Sequence, residues 1–137
     1  RHTPMAAHKS MNYQFCLQAG EKARENGFDE ALILNIDGSI SETNTANIMF
    51  VQGKTLIGPS SEYVLKGVME KNVRRLLGSE GFEVCDRKVF PFRMDQYDAV
   101  FLTNSLMGAV PVRSFEGSDL KDSSFLCRDI NRKLLGL

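Results

Sequence analysis

The stretch EALILNIDGSISETNTANIMFVQGKTLIG, residues 30–58, decides the fold. An apolar run at 30–36 predicts a buried strand. Asp37-Gly38 then supplies the strongest hairpin signal in the chain, because a glycine tolerates the positive φ that tight turns demand. SIS and ANIMFV follow as two more strands, Gln52-Gly53-Lys54 as a second turn, and TLIG as a fourth strand. The whole reads as a meander of short strands.

Elements of both kinds lie to either side. Upstream, Phe15, Cys16, Ala19 and Ala23 recur at helical spacing between 12 and 26, with Glu21, Lys22, Arg24 and Glu25 mainly on the other face. Gly27 is placed to stop that helix. Downstream, 59–67 is rich in turn formers. Residues 68–77 predict a helix with Val68, Val73, Leu76 and Leu77 inside, its end bracketed by Gly78 and Gly81. FEVCDRKV alternates as a strand does. RMDQYD suits a short helix or a turn. AVFLTN is an apolar strand ending in polar residues, and GAVPVRSF is another whose Pro111 suggests an edge or an irregular position. A helix over 120–135 closes the chain. The predicted class is α+β, mixed rather than a regular βαβ alternation, with strands outnumbering helices.

The chain has 137 residues, enough for one domain with its own core. Seventeen basic residues balance seventeen acidic ones, which argues against a broad electrostatic footprint for nucleic acid or anionic membrane. No apolar run approaches the roughly 20 residues of a membrane span. Cys16, Cys85 and Cys127 are scattered and odd in number. They make no zinc pattern and suit a reducing compartment, so the expected location is cytoplasmic. Neither GxGxxG nor GxxxxGK[ST] occurs, so the two commonest nucleotide cradles are absent.

Three stretches carry polar groups where chemistry can happen. AAHKSMNY places Lys9 at the mouth of the first helix. It is either an ordinary solvated lysine or one held in a pocket, where a lowered pKa frees the amine to react. SISETNTANIMF places Glu42 at a strand end. It lies either in a solvated turn or in a pocket that needs a cationic partner. FLTNSLMGAVPV delivers Thr103, Asn104 and Ser105 to the end of a buried strand. There, amides and hydroxyls either hold an anion or simply turn the chain.

Taken in order, HKSMNYQF, NIDGSISETNTANIMF, KGVMEKNV and FLTNSLMGAVPV resemble the C-terminal half of the fold-type IV pyridoxal-phosphate enzymes. These are the branched-chain and D-amino acid aminotransferases and the aminodeoxychorismate lyases. The resemblance runs from about residue 7 to 112. It implies a barrel-like domain, its strands wrapped by about three helices, and pyridoxal 5'-phosphate as cofactor. Lys9 is then the Schiff-base lysine and proton shuttle, and Glu42 pairs with the protonated ring nitrogen. The amides of Val68 and Met69, at a helix N-terminus, cradle the phosphate. Ser105 adds a hydroxyl to it, and Leu106 and Met107 line the substrate side.

Within the family, Met69 in the GVME turn, the run from Asn104 to Val112, and the KSMN spacing lean toward aminodeoxychorismate lyase, with a branched-chain or D-amino acid aminotransferase as the alternative. GVME also replaces the GITR of many aminotransferases, placing Glu70 near a dianion unless it turns away. The family further implies a small-molecule amine substrate, a homodimer, and an N-terminal domain that supplies an arginine and part of the pocket. Residues 1–137 read as the C-terminal half alone, since the chain opens on Arg1 and its first element follows at once. Readings outside catalysis are an inactive isolated domain and a generic α+β binding module.

Overall fold

The computed structural model describes the backbone of residues 9–60 and 67–136, and side chains from Leu17 onward. The first described element is α1 (Lys9–Glu25), whose last turn carries Lys22 and Arg24. Cations there suit the negative end of the helix dipole. The helix stops as expected at Gly27, where the amide of Phe28 closes back on the carbonyl of Ala23 at 2.9 Å.

Next come β1 (Leu32–Leu34) and β2 (Ile40–Thr43), an antiparallel ribbon with a bulge between Ile33 and Leu34. Their connection is longer than a two-residue hairpin but turns at the expected place. Gly38 sits at φ +88°, and the Asp37 carboxylate accepts from the Ser39 amide at 3.0 Å and its hydroxyl at 2.6 Å. This is the side-chain bond that makes aspartate a turn former.

β3 (Asn47–Gln52), β4 (Thr55–Pro59), β5 (Glu83–Arg87), β6 (Ala99–Asn104) and β7 (Gly108–Pro111) form a five-stranded sheet in the order β5-β4-β3-β6-β7. Every pairing is antiparallel except β4 with β5. That parallel pair is joined through α2 (Val68–Ser79), the kind of crossover that parallel strands require. β7 is an edge strand, one of the two places that suited Pro111. Pro91–Gln96 form a 3₁₀ helix. β8 (Ser114–Phe115) and β9 (Ser118–Asp119), a small hairpin the sequence did not announce, precede α3 (Ser124–Leu135).

The sheet is covered on both faces, so β3 and β6 are buried along nearly their whole length. Alternation then sorts side chains by parity. Met49, Val51 and Phe101 pack under α2 and α3 against Val73, Leu77 and Ile130. Ile48, Phe50, Val100 and Leu102 face the other way, toward Ile40, Val89 and Met94. The β1–β2 ribbon therefore closes the second face and gives the barrel-like enclosure.

One expected core residue is misplaced. Val68 opens α2 with its side chain 68% exposed, and Met69 takes the inner position beside Val73 and Leu77. The first residue of a helix projects past its packed face, which here begins one residue later.

Candidate cofactor site

The site grows from the start of α2. Gly67 caps that helix with extended backbone and makes no side-chain capping bond. A helix opening this way leaves its first amides without intrahelical partners, and those N–H groups carry the positive end of the dipole. Asn47, the first residue of β3, holds the approach in place: its Oδ1 accepts the Gly67 amide at 3.1 Å.

Opposite lies the end of β6. Its register with β3 sets Thr103 against Asn47. Asn104 then ties two loops together, donating from Nδ2 to the Thr45 carbonyl at 3.0 Å and accepting the Leu106 amide on Oδ1 at 2.7 Å. Between these walls is a cleft of about 260 Å³, bounded by Asn47, Gly67, Met69, Thr103, Asn104 and Ser105 among others. Thr103 is only 2% exposed, and its hydroxyl has no hydrogen-bond partner.

Glu70, the next residue of α2, does not add its charge to this cleft. It is buried and paired with Arg74 one turn on, at 2.7 Å. The same guanidinium bridges to Asp86 on β5 at 2.8 Å. The acidic residue that sat badly beside an anion is thus committed to a neighbouring cation.

Glu42 lies on β2, opposite Ile33. It is largely withdrawn from water, and no ion pair or hydrogen bond with another described residue compensates it. Burial is the cause that pushes its carboxyl up to about 7. An uncompensated carboxylate in such a place favours the arrival of a cation.

The structure brings Met69 and Ser105 into one cleft. Val68 is exposed and does not border that cleft. Leu106 is 93% exposed. Met107 borders a different, larger cavity of about 550 Å³, walled by Phe28, Ile48, Leu102 and Val112. Glu42 borders neither cavity. Lys9 begins α1, but its side chain lies outside the described residues. Sequence reasoning passed over Asn47 and Gly67 as site residues, and grouped Thr103 with Asn104 and Ser105 at a strand end that either holds an anion or turns the chain. Asn47 sits in the strand motif and Gly67 precedes the predicted helix, so position was legible but pairing was not.

The family model of amino-transferase class IV matches residues 1–115. The chain belongs to that family. Three relatives show how the class IV likeness is spread. A branched-chain-amino-acid aminotransferase of Salmonella typhimurium is 30% identical, over 83% of this chain and 37% of the enzyme. The branched-chain amino acid aminotransferase structure from Escherichia coli superposes with a TM-score of 0.88 at 26% identity, over all of this chain and 49% of that one. A 4-amino-4-deoxychorismate lyase structure from Pseudomonas aeruginosa shares the fold, with a TM-score of 0.81 at 24% identity over 93% of this chain and 48% of that one. The chain spans less than half the length of the relatives it matches.

Pyridoxal phosphate is the cofactor of the fold-type IV aminotransferases, and the residues present fit it. The cleft is bounded by the start of a helix, a serine and a threonine whose buried hydroxyl is orphaned, which suits a phosphate. Glu42 is an unpaired acid suited to a protonated ring nitrogen. Among the described residues, no group of three His, Cys, Asp or Glu side chains is gathered as for a metal, and no helix is long and apolar enough to cross a membrane.

Proposed function

We propose that this chain forms the cofactor-holding wall of a pyridoxal-phosphate-dependent lyase that converts 4-amino-4-deoxychorismate to 4-aminobenzoate, a folate precursor, and pyruvate. The observation that carries the reading is the cleft where the open first turn of α2 meets Ser105 at the end of β6. Bound there, pyridoxal phosphate would supply an electron sink for the carbon that bears the substrate nitrogen.

The chain's own groups do the rest. The amides of Val68 and Met69 and the Ser105 hydroxyl hold the phosphate. Glu42 keeps the ring nitrogen protonated, because its half-buried carboxylate gains more from a cation than from the thin solvent around it. Lys9 takes the proton from the carbon bearing nitrogen. The C–O bond to the enolpyruvyl group then breaks and the ring becomes aromatic. The proton taken by Lys9 balances the one pyruvate gains, so no water or oxidant enters the balance. Met107 and the exposed Leu106 present apolar surface on the substrate side.

Met69 and the run from Asn104 to Val112 support a lyase. The names of the relatives support the second reading, a branched-chain aminotransferase, which would use the same Lys9. On either reading the other wall of the pocket comes from an N-terminal domain and the protein works as a cytoplasmic homodimer.

The test is to incubate the protein with pyridoxal phosphate, reduce with borohydride, digest, and locate the modified residue by mass. A label on Lys9 is the expected result; a label found only when the chain is joined to its N-terminal domain means that this wall alone does not hold the cofactor, and no label on Lys9 in either overturns the reading. Release of 4-aminobenzoate with pyruvate selects the lyase. A branched-chain keto acid formed from the amino acid selects the aminotransferase.

A further inference from the structure

Thr103 is a poor choice for the place it occupies. It lies in a strand whose neighbours are Phe101 and Leu102, with its hydroxyl sealed from water and joined to nothing. A buried hydroxyl without a partner is destabilising, and valine has the same shape without that fault. Buried polar groups are nearly always satisfied, so an exception asks for a missing partner.

The position of the exception names the partner's chemistry. Thr103 forms part of the cleft into which the first turn of α2 opens at Gly67 and Met69. Gly67, its N-cap, has no side chain with which to cap that turn. Ser105 completes the same wall. The start of a helix and two hydroxyl-bearing residues, Thr103 and Ser105, thus border one cleft, and a hydroxyl without an acceptor adds one more donor. The nearby acid, Glu70, is held by Arg74. Met69, in the first turn of α2, brings no hydroxyl of its own. A site of donors, with its acid turned away, suits an anion with several acceptor oxygens.

We propose that the Thr103 hydroxyl is a phosphate-binding group, donating from the buried side of the cleft to the phosphoryl group held at the start of α2. The inference rests on the pyridoxal-phosphate reading above and adds a residue to it.

The experiment separates the two claims by comparing pyridoxal phosphate with pyridoxal, which lacks the phosphate. Affinities for both are titrated by absorbance, and bound phosphate is followed by ³¹P resonance. The proteins are wild type, Thr103→Val, Thr103→Ala and Thr103→Ser. Thr103→Val should weaken pyridoxal phosphate on the order of tenfold or more, as loss of a hydrogen bond to a charged group does, and leave pyridoxal unchanged. Its cofactor-free melting temperature should hold or rise. Should the valine variant fold badly, Ser against Ala isolates the hydroxyl, and Ser alone should keep the phosphate preference and the ³¹P shift. Equal phosphate preference in wild type and the hydroxyl-free variants overturns the role of Thr103 and leaves the cofactor reading standing. A wild type that binds both compounds alike, or neither, overturns both.

Discussion

Glu42 is the residue whose chemistry depends most on where the chain puts it. In sequence it is a glutamate in a polar run that suits a solvated turn. In the fold it is paired across the β1–β2 ribbon and withdrawn from water, and burial raises its carboxyl to about 7. The sign follows from linkage. Between the ordinary value of 4.5 and about 7 the folded state holds a proton that the unfolded state has lost. Stability of the cofactor-free protein should therefore fall as pH rises through that window. Glu42→Gln should flatten this part of the profile, which denaturant unfolding across pH 4 to 8 would reveal. A slope unchanged in the variant would mean that Glu42 is not the titrating group. Pyridoxal phosphate should flatten the same slope in the wild type, because a cation beside the carboxylate favours its charged form.

At the scale of an element, α2 shows how one helix combines an apolar face with a buried ion pair. Its inner stripe of Met69, Val73 and Leu77 is apolar, yet Glu70 is also buried. A buried carboxylate persists only when paired. Arg74 supplies the pair and carries it to Asp86 on β5, so the helix is tied to the strand it leads into. Arg74→Ala should cost about 3 kcal/mol, since it leaves Glu70 buried and alone. The double variant Arg74→Ala with Glu70→Ala should recover part of that. Chemical denaturation of the single and double variants measures both. If the single variant loses only a few tenths of a kcal/mol, the pair is a surface interaction in effect and Glu70 finds water.

For the whole molecule, the exposed liability is the β7 edge of the sheet. α3 covers it with one side chain. The Asn131 amide accepts the Ala109 N–H at 2.8 Å and donates to the Ala109 carbonyl at 3.0 Å, satisfying an edge residue as a further strand would. Gly108 permits that closeness: it sits at φ +76°, and a Cβ there would meet Asn131 at 2.3 Å. Asn131→Leu should destabilise by about 3 kcal/mol, because Ala109 is buried and both of its backbone groups would be stranded. It should also promote association through the bared edge, seen as a larger species in light scattering. A variant as stable as wild type would mean that water reaches the edge.

Element order was readable from local signals, because each rests on period and turn chemistry carried by a few adjacent residues. Asp37-Gly38 marked its turn, Gly27 its helix end, Pro111 its edge strand, and the four motifs in order marked the family. The same local signals failed where neighbours remote in sequence decide. Val68 looked like core but precedes the packed face. Glu70 looked like an obstacle to an anion until Arg74 and Asp86 lay beside it. The raised Glu42 carboxyl and the unpartnered Thr103 hydroxyl are properties of burial, which no window of sequence contains. Residue types and their order come from the chain, since propensity and hydrophobic period act over short spans. Which side chains share a cleft, and which are left without water or a partner, is set only when distant strands pair and the sheet is covered on both faces.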